Sequence, residues 1–356
     1  MNDLKSSQLA MIFTGSFLGA GFVSGQEILQ FFGVYGRMGI LGMFVSITLF
    51  GLFGYMFMYI AKKENLTSID RIIMGDGKSI LHRFLNIVSL LFLFGVTVIM
   101  LAGAGSLIQE LFGIPFFVGS ALLTLLLAIL SLKGMNGILV ISQIVVPVLL
   151  ALVVIISVWA MMKFDPSPVE KVEVVVHNPL LGNWFIAMIT FFSYNILASV
   201  AVLIPATHRI QDLKTAKKGI FLGSIQLLLM FACILVSIQR FFGQIQNSDF
   251  PIQALAGSLS PFLATIYAIL LLSAMFNGAL SCMYGAMVQM FGEIENKKVI
   301  ILVLWMAAFV CSLAGFKELI SVIFPVCGYA YLVAIPLVLW RFLQVRKKEL
   351  LKLKGE

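Results

Sequence analysis

The stretch Thr14-Gly15-Ser16-Phe17-Leu18-Gly19-Ala20-Gly21-Phe22-Val23-Ser24-Gly25-Gln26-Glu27 sets four glycines and one carboxylate in an otherwise apolar run. Glycine costs a helix about 1 kcal/mol per position relative to Ala. Gly19, Gly21 and Gly25, crowded near the middle of the run, therefore predict a helix that unwinds; the other use of such glycines is close helix packing. Unwound backbone inside a bilayer is tolerated where it lines a cavity or is buried in protein, and the amides it frees can hold an anionic ligand. Polar Ser24, Gln26 and Glu27 follow at once, which favours the break. A carboxylate at that depth is costly unless it has partners. Three roles are open to Glu27: closing a restarted half-helix through the S-x-x-E capping box with Ser24, orienting a ligand amine, or carrying a coupled proton.

Other clusters are weaker. Thr190-Phe191-Phe192-Ser193-Tyr194-Asn195-Ile196-Leu197-Ala198-Ser199 interrupts an apolar run with hydrogen-bonding side chains but has no Gly or Pro. It fits either a second break, with Ser and Asn satisfying freed backbone, or a continuous helix packed by aromatic rings. Ser273, Asn277 and Ser281 recur four residues apart on one helix face and present oxygens of the kind Na⁺ prefers; serines inside membrane helices also bond to their own backbone. Ala102-Gly103-Ala104-Gly105-Ser106 is a small-residue surface for a close neighbour. Enzyme motifs are missing: there is no H-E-x-x-H or phosphate-binding glycine loop, and His82, His177 and His208 fall at span ends or in loops. Gly75-Asp76-Gly77 lies in a basic loop without a second intramembrane Asp. Cys233, Cys282, Cys311 and Cys327 have no C-x-x-C spacing and read as packing residues, with no metal or cofactor expected.

The elements that carry these residues follow from composition. Of 356 residues, 61% are hydrophobic and only 11% charged, far below the quarter usual in soluble domains. At about 20 apolar residues per crossing, the chain holds ten spans: about 7–34, 37–61, 80–112, 115–132, 137–162, 182–206, 216–241, 260–290, 298–315 and 319–343. Lys5 before an apolar run resembles a signal peptide, but apolar sequence continues to Phe32 and reads as a span. Little chain remains for a soluble domain, and the net charge of +8 sits in loops, so nucleic-acid binding is excluded. With the N-terminus inside, nineteen Lys and Arg face the cytoplasm, including six from Arg341 to Lys354, while Arg37, Lys163, Lys171, Arg240 and Lys317 face out. That asymmetry predicts cytoplasmic N- and C-termini. The segment 163–181 reads as an outer loop, and 247–261 as a short helix folded over the outer mouth. Five spans per half require the halves to run in opposite senses, the pattern of an inverted repeat.

At Gly19-Ala20-Gly21-Phe22-Val23-Ser24-Gly25-Gln26-Glu27-Ile28-Leu29-Gln30-Phe31-Phe32 the chain closely resembles the YkvI-like membrane proteins, an amino acid permease family of the amino acid/polyamine/organocation superfamily. The resemblance covers essentially the whole chain. It implies an all-α polytopic membrane protein with the five-plus-five inverted repeat of LeuT-like transporters, helices 1 and 6 broken around a central site. It further implies a substrate carboxylate on the backbone between Gly21 and Gly25, with Gly19, Phe22, Ser24, Glu27, Phe192, Ser193 and Asn195 around the substrate. Sodium-coupled relatives hold a cation with carbonyls near Gly19 and Phe22 and a Ser/Thr pair on the eighth span. In place of that pair this chain has Ser273, Asn277 and Ser281. Some proton-coupled relatives place a Lys on the fifth span; here it has only Ser142 and Gln143 toward its cytoplasmic end.

The expected organisation is residues 1–165 and 182–346 as the two repeats, 166–181 as an extracellular loop and 347–356 as a basic tail. The expected function is a plasma-membrane secondary transporter of an amino acid or related small zwitterion, coupled to Na⁺ or H⁺, and not an enzyme. Its partners would be that solute and the lipid bilayer. The alternative is an amino-acid-sensing receptor of the same fold, similar to germinant receptor subunits.

Overall fold

A computed structural model describes residues 4–17, 19–66, 80–133, 139–165, 178–246, 248–292 and 298–354. The first span begins as α1 (Ser6–Gly15), restarts as α2 (Ala20–Ser24) and again as α3 (Gln26–Phe31). A 3-10 turn, Gly33–Tyr35, leads into α4 (Gly36–Glu64), then α5 (Ile80–Phe112), α6 (Phe116–Lys133) and α7 (Leu139–Lys163). The second half holds α8 (Trp184–Thr207), α9 (Leu213–Arg240), α10 (Phe242–Ile245), α11 (Pro251–Leu259), α12 (Pro261–Phe291), α13 (Lys298–Ser312), α14 (Phe316–Tyr331) and α15 (Ala334–Lys354). Five stretches, Gln26–Glu64, Arg83–Phe112, Leu213–Arg240, Pro261–Phe291 and Phe316–Leu351, are long and apolar enough to cross a membrane; four shorter apolar helices begin at Phe116, Pro147, Trp184 and Lys298. Together with the broken first span they match the ten expected segments.

Local chemistry sets the ends. Asn183 caps α8 by accepting from the Phe185 and Ile186 amides at 3.0 and 2.9 Å. Asp212 caps α9 through the Thr215 amide at 2.8 Å, and that bond holds its carboxyl below the usual range. Pro251 and Pro261 open α11 and α12 at positions whose amides need no partner. The tenth span, read from sequence as one helix, divides between Tyr331 and Ala334, because Pro336 supplies no amide for a helix bond and its ring crowds the preceding turn.

Helix contacts form two groups. In one, α1 packs on α8 and α9, and α4 packs on both of those as well; in the other, α5 packs on α6, α12 and α13, and α6 packs on α12 and α13. The fifth span, α7, bridges to α9 and α12, as α14 and α15 of the tenth bridge to α4 and α5. Replacing span n by span n plus five exchanges these pairings. The α1–α9 contact maps onto α8–α4, and α7–α12 onto α14–α5, as expected for a duplicated architecture. Phenylalanines fill the first group: Phe17 lies 4.3 Å from Phe50, Phe32 4.8 Å from Phe191 and 4.9 Å from Phe231, and Phe53 5.1 Å from Phe192. Gly105 and Gly119 bring α5 and α6 into backbone contact, which gives the Ala102–Ser106 surface its packing use. Of the predicted 163–181 loop, residues 166–177 lie outside the described residues, as does Gly75-Asp76-Gly77.

Candidate functional site at the broken first span

Two interruptions divide the first span. The α1 helix ends at Gly15, and α2 begins after Gly19, which has extended backbone. The α2–α3 join is Gly25 at φ +86°, a left-handed conformation that favours glycine. A side chain there would also press on Ile252 at 3.1 Å, Pro251 at 3.3 Å and Ile234 at 3.5 Å. The 247–261 segment thus does contain a short helix, α11, and its first residues cover the join. Lys163 anchors the far end of α11 by donating to the Ser258 and Leu259 carbonyls at 3.2 and 3.0 Å. Asp249, just before it, pairs with Lys317 at 3.2 Å.

The chemistry converges on Glu27. It is 4% exposed and the only buried acidic side chain among the described residues. Tyr194 donates its hydroxyl to Oε1, and Asn195 Nδ2 approaches the same oxygen at 3.4 Å. The carboxylate therefore joins span one to span six. Its other oxygen, Oε2, lies over Gly21: a Cβ added there would sit 2.9 Å from it and 3.6 Å from the Phe324 ring. Among the described residues, hydrogen bonds reach Oε1 alone. Phe324 stacks on Tyr194 at 4.9 Å and 12°, with Phe31 and Phe92 at 5.8 and 6.0 Å from the same ring.

Two expectations need correction. Span six is not broken: α8 runs unbroken from Trp184 to Thr207. Its middle, Thr190 to Ser199, has no Gly or Pro to interrupt it, and Pro205 falls in the last turn; Asn195 returns a bond to the Phe191 carbonyl at 3.1 Å, and Ser193 donates to the Gly328 carbonyl of α14 at 2.8 Å. Nor does the capping box form. Gly25 takes the cap position of α3 without a side-chain bond. Ser24 accepts from the Gln26 amide at 3.2 Å and donates to the Gly21 carbonyl at 2.9 Å, leaving Glu27 free to reach across to α8. Of the amides between Gly21 and Gly25 expected to hold a ligand anion, those of Val23 and Gly25 bond to the Gly19 and Phe22 carbonyls, each at 3.1 Å.

The remaining predicted residues divide. Phe22 is buried against Phe231 at 5.3 Å. Phe192 packs on Phe50 and Phe53 of α4, at 5.6 and 5.1 Å. On α12, Ser273 returns its hydroxyl to the Ile269 carbonyl at 2.8 Å, while Asn277 Oδ1 is buried without a partner. The α12 residue that bonds to the break is Tyr267, whose hydroxyl donates to the Val23 carbonyl at 2.5 Å. Tyr267, Phe92 and Phe324 were not legible from sequence, where nothing distinguishes them from other aromatics in apolar runs. The side chains of Ser142 and Gln143 lie outside the described ones. A separate cavity of about 300 Å³ opens beside Gly15, between α1, α7 and α9, with Thr14 and Gln226 among apolar walls.

The fold and this break define a helical polytopic membrane protein with the LeuT fold. Among solved structures it is similar to an Eremococcus coleocola manganese transporter, at TM-score 0.61 and 17% identity over 95% of this chain and 78% of that one. It also matches a Na⁺-coupled sialic acid symporter, at TM-score 0.56 and 15% identity over 87% and 72%. By sequence the chain is similar to two Bacillus subtilis proteins. It is 28% identical to the uncharacterized membrane protein YkvI of Bacillus subtilis over 330 residues, 92% of this chain and 93% of YkvI. It is 27% identical to YyaD of the same organism over 323 residues, 89% and 91% of the two. No family model matches.

Proposed function

We propose that the chain is a secondary active transporter that moves an amino acid or related small zwitterion across the plasma membrane by alternating access, with both termini cytoplasmic. The observation that carries this reading is the buried Glu27, bonded to Tyr194 and Asn195 across a span that is broken beside it. An ionisable group inside a bundle marks a solute or ion pathway, and a discontinuous helix beside it supplies the moving part. The two solved transporters of similar fold support the class. The repeats are residues 1–165 and 182–346, joined by 166–181, with 347–356 as a tail.

Substrate sits between Gly21, Glu27 and the Tyr194–Asn195 edge of α8, with Gly19, Phe22, Ser24 and Gly25 shaping the break. Of the two coupling ions, H⁺ at Glu27 is better supported than Na⁺ at Gly19, Phe22, Ser273, Asn277 and Ser281, because the Ser273 hydroxyl is committed to its own helix. The test is uptake of labelled amino acids into proteoliposomes under imposed Na⁺ or H⁺ gradients. Gradient-driven accumulation supports the transporter. Saturable binding without uptake under either gradient supports a sensing receptor instead.

A further inference from the structure

We propose that this site, read as the substrate site, recognises the ammonium group of its ligand through Glu27 Oε2 and offers no buried cation to a ligand carboxylate, so that primary amines bind better than the α-amino acids they derive from. Four observations converge. First, the chain's own carboxylate lies where the broken backbone would otherwise receive an anion: Oε2 stands over Gly21, where a Cβ would be only 2.9 Å away. Second, the nearby Val23 and Gly25 amides are spent on the Gly19 and Phe22 carbonyls, so neither is a donor for a ligand carboxylate. Third, Tyr194 and Asn195 fix Oε1, which leaves Oε2 as the acceptor for a ligand donor. Fourth, the walls are aromatic: Phe324 lies 3.6 Å from the same point over Gly21, stacked on Tyr194, with Phe92 within 6.3 Å of Phe324. Aromatic faces attract an ammonium through the ring quadrupole. Among the described residues no Lys or Arg is buried to balance a ligand carboxylate, and two carboxylates confined together repel.

The experiment uses the full chain in detergent and in proteoliposomes, with three matched sets: alanine, ethylamine and propionate; leucine, 3-methylbutylamine and 4-methylpentanoate; phenylalanine, phenethylamine and 3-phenylpropionate. Thermal stabilisation gives relative affinity, and uptake of the labelled compounds gives transport. In the set that fits the pocket, the amine is expected to bind about tenfold tighter than its amino acid, and the acid not to bind. Glu27→Gln is expected to remove amine binding, whereas Tyr194→Phe, which keeps the carboxylate, retains it with weaker affinity. An amino acid that binds and is taken up as well as or better than its amine overturns the ammonium inference and leaves the transporter reading intact. Amine binding by Glu27→Gln at the affinity of the parent overturns it too. No binding and no uptake in any set overturns both. The matched sets decide the question on the unaltered protein even where a variant fails to fold.

Discussion

Glu27 and Tyr194 lie far apart in the chain and meet in the middle of the bundle. Burying a carboxylate there is unfavourable, and its two side-chain donors offset part of the cost. Gln in its place keeps the size and can still accept from Tyr194. Glu27→Gln should therefore melt no lower than the parent while losing solute uptake by at least about tenfold, a separation read from melting curves and uptake on one preparation. Gly25 behaves differently. At φ +86° and under Ile252 and Pro251, a side chain meets both strain and contact. Gly25→Ala should lower stability by about 1–2 kcal/mol from the backbone alone and reduce uptake as well, whereas Gly21→Ala, with ordinary backbone and a movable carboxylate tip as neighbour, should fold normally and lose uptake. The glycines and the single mid-span carboxylate were legible in sequence because few residue types are so costly in a membrane helix. Tyr194 was visible only as one aromatic among several, and its bond to Glu27 was not, because spacing carries no information about contacts between distant helices.

Elements show the same division. The first break was readable from glycine density. The mirror break in α8 was not there to be read, since Ser193 and Asn195 find carbonyl partners that leave the helix whole. The short α11 was readable from Pro251 and its apolar run, but its place over Gly25 follows from contacts with Ile252. Lys163 holds the last carbonyls of α11, an interaction of about 0.3–1 kcal/mol at a helix C-terminus. Lys163→Ala should leave the melting temperature nearly unchanged and make a cysteine placed at Ile252 more reactive to a membrane-impermeant thiol reagent. Unchanged reactivity would show that α11 is not held by this lysine. At the other end of the repeat, Asn183→Ala should cost about 1 kcal/mol by leaving the first α8 amides without their cap.

For the whole molecule, length, hydropathy and charge asymmetry were enough for ten segments and an all-α membrane fold, because a bilayer leaves so few ways to satisfy backbone. The pairing of those segments required the structure, where exchanging span n for span n plus five reproduces the contacts of α1, α4, α8 and α9. The nineteen-to-five distribution of Lys and Arg predicts the orientation. Cysteines introduced at Lys354 and at Lys317 should be labelled from the cytoplasmic and outer sides respectively in intact cells, and the opposite labelling would invert the proposed topology.

The most direct test of the account is uptake in proteoliposomes under an imposed proton gradient, parent against Glu27→Gln, across labelled amino acids and their amines. The account predicts saturable, gradient-driven uptake of at least one compound by the parent and its loss in the variant, with both proteins folded. Equal uptake by the two proteins would contradict the placement of the substrate site at Glu27, Tyr194 and Asn195.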